Sequence, residues 1–166
     1  FILDPIDGTR AFLRGEETWA ISLAVVSGSD PTAAVVHLPA RGLTYTATRR
    51  GAWLNGDPIR VSARPDPEGA RVLANKAAFA TEHWRRLPGF QRTFRPSIAY
   101  RLAYLAQGRA DVMMSLRSAW EWDIAAGQAI LEALGGSVVH AETGVPLYYN
   151  KENLTNPPPF DLVLDN

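Results

Sequence analysis

The chain has 166 residues, 46% of them hydrophobic and 20% charged, a composition that suits a folded globular domain and argues against disorder. Seventeen basic and seventeen acidic side chains cancel, so no global field draws the chain to nucleic acid or to an anionic membrane, and an anionic ligand must be captured locally. There is no cysteine, which excludes disulfides, thiolate catalysis and thiolate metal sites, favours a reducing compartment and makes a cytoplasmic location the expectation.

Phe1-Ile2-Leu3 reads as a strand already under way, without a charged or cleavable leader; the chain is therefore expected to lack an upstream portion. This strand is predicted to run into a turn cluster, Asp4-Pro5-Ile6-Asp7-Gly8-Thr9, followed by one or two helical turns over Arg10 to Leu13. Trp19 to Val26, Ala33 to Leu38 and Leu43 to Thr48 read as strands, and the first of these is far too short to span a bilayer. The pair Asn55-Gly56 between Ala52-Trp53-Leu54 and Ile59-Arg60-Val61 is a hairpin signal. Arg64 to Gly69, with two prolines among charged residues, marks a surface connection and a candidate subdomain boundary within a single domain spanning residues 1–166.

Beyond it, Arg71 to Ala74 resumes a strand. Ser97 is placed to cap a helix carrying Ile98, Leu102, Leu105 and Ala106 at helical spacing, with Gly108 as its stop. Asp111 to Leu116 reads as a strand, Asp123 as the start of a helix over Ile124 to Leu134, and Ser137 to His140 as a strand after Gly135-Gly136. Pro157-Pro158-Pro159 blocks regular structure, and Asp161 to Leu164 reads as a last strand.

The candidate chemistry lies in the acidic residues. Pro5 restrains the backbone between Asp4 and Asp7, so a turn can aim both carboxylates into one space, where a hard divalent cation relieves their repulsion. Gly8 and Thr9 lead into a helical turn whose N–H groups can face phosphate. Taken alone, Asp-Gly-Thr reads first as a capped turn, and Asp123 as a helix cap. The small residues Ala125, Ala126 and Gly127 behind Asp123 let that helix end approach another backbone closely. His37, His83 and His140 show no ligand spacing, and the five tryptophans are expected mainly in the core.

Asp4-Pro5-Ile6-Asp7-Gly8-Thr9 together with Trp122-Asp123-Ile124-Ala125-Ala126-Gly127 resembles the two signatures of the inositol monophosphatase superfamily. Gly51 to Gly56, Gly108 to Asp111 and Ala133 to Gly136 extend the resemblance over nearly the whole chain. It implies an α/β fold, a layered αβαβα sandwich lacking its N-terminal portion, and a magnesium-dependent phosphoric monoester hydrolase. It further implies two or three Mg²⁺ ions held by Asp4, Asp7, Asp123 and the Ile6 backbone carbonyl, phosphate cradled by Gly8 and Thr9, and a water activated with help from Thr9 and Asp7. The family also takes a glutamate ligand from upstream of Phe1. The implied partner is a small phosphorylated substrate, with no nucleic-acid polymer or membrane; a homodimer is compatible with the resemblance.

Within the superfamily, inositol-specific members carry a glutamate where this chain has Ser115, Leu116 and Arg117. The Glu121-Trp122-Asp123 triplet and the tail from Pro146 to Lys151 resemble the 3′(2′),5′-bisphosphate nucleotidases instead. Arg10, Arg14, Arg101 and Arg117 are candidate contacts for a second phosphate or the leaving group. Inositol-1-monophosphatase, histidinol phosphatase and fructose-bisphosphatase remain alternatives, and a non-catalytic module on the same fold is the competing class.

Overall fold

A computed structural model describes residues 1–64, 66–156 and the backbone of 160–162. In chain order the elements are β1 (Ile2–Asp7), α1 (Thr9–Leu13), β2 (Ala20–Ser27), β3 (Asp30–Leu38), β4 (Leu43–Thr48), β5 (Gly51–Leu54), β6 (Asp57–Pro58), β7 (Arg71–Leu73), β8 (Gln91–Thr93) and α2 (Ile98–Ala106). They continue with β9 (Val112–Ser115), β10 (Ala119–Trp120), α3 (Glu121–Glu132), β11 (Val139–His140), β12 (Thr155–Asn156) and β13 (Phe160–Leu162).

β1 to β6 form one antiparallel sheet in sequence order. Short connections give this order from β2 onward, with α1 lying between β1 and β2, and the Asn55-Gly56 turn brings Leu54 opposite Asp57. A second, mixed sheet has the order β11-β13-β9-β7-β8, with β7 parallel to both β8 and β9. Between the sheets lie α2 and α3, packed on each other, with α3 against β1 to β4 and α2 reaching β9. These are the inner β-α-β layers of the expected αβαβα sandwich.

The strand period explains how two cores form. Leu73 and Met113 face the helices and join Val36, Tyr45, Leu102 and Ile130 in the main core. Val72 and Met114, one residue away, face the opposite side, where Phe79, Trp84 and Phe90 cover them. Apolar side chains on both faces of β7 and β9 give the continuous hydrophobic runs typical of parallel-type strands. The chain passes from one sheet to the other through the stretch around 64–70; Pro65 itself, like Pro157 to Pro159 and residues 163–166, lies outside the described residues, so the proline block and the end of the last strand do too.

Several sequence expectations need correction. Strand β1 continues through Asp4 to Asp7 instead of turning at Asp4, and a register shift against β2 between these two residues supplies the bend. Ile59 to Val61 is not a strand, because the return arm of the hairpin ends at Pro58. Helix α3 starts at Glu121, so Asp123 stands in its third position and not at its start. The strand expected over Ser137 to His140 is reduced to Val139–His140. Strand β8 carried no periodic signal in the sequence: Gln91 and Arg92 are exposed on it, and only its pairing with β7 defines it.

Candidate metal centre

Carboxylate oxygens of Asp4, Asp7 and Asp123 lie within 4.8 Å of one another, although they come from β1 and α3. Two local features aim the first pair. The β-bulge between Asp4 and Asp7 breaks the alternation that would send the side chains of positions three apart to opposite faces. Gly8 then takes φ of 88°, turning the chain sharply into α1; a Cβ there would also press on Ser97 at 3.3 Å.

Asp4 Oδ1 accepts the Ile6 amide at 2.9 Å. Asp7 is almost fully buried, and its Oδ2 accepts the Ser97 hydroxyl at 2.5 Å and the Ala99 amide at 2.6 Å. The same Ser97 oxygen accepts the Tyr100 amide at 2.9 Å. Ser97 thus caps α2, as the sequence indicates, and also clamps one oxygen of Asp7, which sequence reading missed. The clue was there only as an N-cap signal, since the partner stands ninety residues away.

Asp123 Oδ2 accepts the Trp120 amide at 3.0 Å, an N3 carboxylate reaching back to the helix start. Its helix is held in place from two sides. Ser22 of β2 donates to the Trp122 carbonyl at 3.2 Å, and the buried Glu121 carboxylate accepts the Asn150 and Lys151 amides at 2.9 and 3.3 Å. Glu121 therefore ties the C-terminal loop to the end of α3 that carries Asp123.

Electrostatics show why this trio suits a cation. Burial, then repulsion from Asp7 and Asp4, pushes Asp123 up to about 7. Burial pushes Asp7 up to about 6, against the lowering effect of its Ser97 and Ala99 hydrogen bonds. Asp4 is also raised, mainly by burial, and shares a hydrogen bond with Asp123. Carboxylates that ionise reluctantly because they face one another become stable anions once a divalent cation sits among them. The oxygen-only donor set fits Mg²⁺, and the three aspartates are the residues that would hold it.

A stability prediction follows from the direction of these shifts. Unfolded aspartates ionise near ~3.9, whereas Asp7 and Asp123 do so near 6 and 7 in the fold. Without metal, their contribution is fully present at acid pH and is lost as pH rises through that window. Melting temperature measured in chelator should therefore fall from about pH 5 to about pH 8, and Mg²⁺ should restore it most at the alkaline end. A metal-free melting temperature that climbs with pH over this range contradicts the arrangement.

The other sequence candidates surround a cavity of about 550 Å³ that opens beside the trio. Gly8, Thr9, Arg10, Arg101, Ser115 and Arg117 are among its lining residues. Thr9 donates its hydroxyl to the Ile6 carbonyl at 3.1 Å, so these two candidates are bonded to each other. Arg10 and Arg117 are exposed at the wall, and Arg14 is paired with Glu16 at 2.6 Å in the open. Arg101 differs from the rest: it is buried, and its guanidinium donates to the carbonyls of Arg95 and Pro96 and lies over the Phe94 ring. Sequence reading passed over Phe94 and Asn75, which also line this cavity. Trp120, expected in the core, is 47% exposed and stacks on Trp122 at 4.7 Å. No helix among the described residues is long and apolar enough to cross a membrane.

The sequence and the fold also resemble those of known proteins. The chain is 37% identical over 142 residues to a fructose-1,6-bisphosphatase/inositol-1-monophosphatase of Thermotoga maritima, covering 83% of this chain and 55% of that protein. It is 34% identical over 151 residues to the Nus factor SuhB of Pseudomonas aeruginosa, with the same coverage. The fold superposes on the structure of CysQ from Bacteroides thetaiotaomicron with a TM-score of 0.83 at 23% identity, over 98% of this chain and 68% of that one. The chain thus spans about half the length of the curated relatives it matches. The model of the inositol monophosphatase family matches residues 1–162, both aspartate signatures included, and the chain belongs to that family.

Proposed function

We propose that the protein containing this chain is a Mg²⁺-dependent phosphomonoesterase acting on a small phosphate ester, and that a 3′(2′),5′-bisphosphorylated nucleotide is its preferred substrate. The observation that carries the first part is the convergence of three carboxylates from β1 and α3 within 4.8 Å. Such mutual repulsion has no structural use, and decay of catalysis would be expected to remove it. Mg²⁺ bound there, as two or three ions, supplies a lowered water pKa and a counter-charge for the leaving oxygen. The chain's own residues do the positioning. Ser97 and the start of α2 fix Asp7 and the helix start fixes Asp123, and Gly8 and Thr9, at the bend after Asp7, would offer their N–H groups to the phosphoryl group. The Ile6 carbonyl, already accepting from Thr9, has a second lone pair for a cation.

The second part is supported by the cavity. Arginines line it, with Arg10 and Arg117 exposed at the wall, Arg14 paired with Glu16 and Arg101 buried behind Phe94, and no carboxylate lines it among the described residues. Ser115, Leu116 and Arg117 stand in the region where inositol-specific members resemble one another in having a glutamate, and the Ser115 hydroxyl is turned onto the Arg117 carbonyl at 3.1 Å. A pocket that has lost a polyol acceptor and gained guanidinium groups favours a second phosphate. The intact aspartate trio favours the catalytic reading over a non-catalytic module on the same fold.

Phosphate release measured with Mg²⁺ on a panel of esters tests both parts, using the protein at its full natural length. Adenosine 3′,5′-bisphosphate should exceed inositol 1-phosphate in kcat/KM by about ten- to a hundredfold, the worth of one charge-assisted contact. Faster turnover of inositol 1-phosphate refutes the substrate and leaves the metal site standing. No Mg²⁺-dependent release from any ester refutes both.

A further inference from the structure

We infer that Phe94 is the platform on which the substrate's aromatic base stacks, with Arg101 as the residue that holds the ring in place. This deepens the proposed reading and rests on it. Phe94 is 50% exposed, yet it lines the cavity beside the metal centre and is not out on open surface. One face of its ring is occupied by the Arg101 guanidinium, 4.5 Å from the ring centroid.

Arg101 is well suited to holding and poorly suited to binding substrate. It is 8% exposed, and two of its N–H groups are committed to the carbonyls of Arg95 and Pro96. Burial lowers it to about 10, opposed by the charge of Asp7. No carboxylate pairs with it among the described salt bridges. A buried cation bound to two loop carbonyls and one aromatic face fixes the segment 94–96, which leads directly into Ser97, the anchor of Asp7. The ring is thereby held in constant register with the carboxylates.

The remaining wall agrees with a nucleobase. Asn75 accepts the Ala78 amide through Oδ1 at 3.1 Å, and among the described residues its amide nitrogen has no hydrogen-bond partner and can donate to a ring nitrogen or carbonyl. Flat aromatic stacking tolerates any base and contributes strongly to nucleotide affinity, whereas a polyol gains much less from such a face.

Calorimetric binding of adenosine 5′-phosphate and ribose 5-phosphate, which share the phosphorylated ribose while the second carries a hydroxyl in place of the base, isolates the platform from catalysis. With Mg²⁺ and the full-length protein, adenosine 5′-phosphate should bind about tenfold or more tighter. Phe94→Leu, which keeps apolar bulk without an aromatic face, should abolish that preference while leaving ribose 5-phosphate affinity unchanged; Phe94→Trp should retain it. Equal affinities in the unaltered protein, or a preference that survives in Phe94→Leu, overturn the inference, as does an equal weakening of both ligands. Failure of the phosphomonoesterase reading appears separately, as absence of Mg²⁺-dependent phosphate release from every ester.

Discussion

Replacing Asp123 by Asn should lower Mg²⁺-dependent phosphate release on the order of a thousandfold. The substitution removes one of three negative charges from the trio while keeping the shape and an oxygen able to accept the Trp120 amide now bonded at 3.0 Å. Helix capping therefore survives, and the loss falls on cation binding. The same change should stabilise the metal-free protein at alkaline pH, because the buried group that ionises only near 7 no longer has to carry a charge there. Opposite movements of activity and metal-free melting temperature are the signature of a metal ligand. Full activity in Asp123→Asn would falsify that role and leave Asp123 as a helix cap.

The second large effect is expected at Gly127, on stability. A Cβ built there would meet Leu102 at 2.2 to 2.7 Å, its Cβ as well as its Cγ and Cδ1. Leu102 is fully buried, and its Cβ cannot move away without its backbone, so α2 would have to retreat from α3. Gly127→Val should cost about 3 kcal/mol or more, lowering the melting temperature on the order of 10 °C. Because α2 carries the clamp on Asp7 and α3 carries Asp123, the retreat also spreads the trio, and Mg²⁺ affinity should fall in the same variant. Gly127→Ala combined with Leu102→Ala should cost less than the two single changes added together, since loss of the Leu102 Cγ and Cδ1 removes part of the overlap and the new methyl fills part of the space they leave. Strict additivity would show that the two helices do not meet through this pair.

Local chemistry was enough to place much of this molecule. The Asn55-Gly56 hairpin, the Ser97 cap, the helical spacing of Ile98 to Ala106 and the small-residue run after Asp123 each act within a turn or two of chain, where φ preferences, orphan N–H groups and side-chain size operate. The two aspartate signatures, read as a pattern, also identified the three carboxylates that meet. What could not be read locally was every decision taken between distant segments. Strand β8 exists because β7 pairs with it, and Gln91 and Arg92 carry no apolar alternation to announce it. Ser97 became a partner of Asp7 only when α2 docked against β1. Arg101 was one of four equivalent arginines in the sequence, and packing separated it from the others: once desolvated, a guanidinium must satisfy its donors from whatever is near, here two carbonyls and the face of Phe94. Covalent neighbours determine the elements and the motifs that mark the three converging carboxylates, whereas burial, which depends on the whole fold, decides what each charged group is able to do.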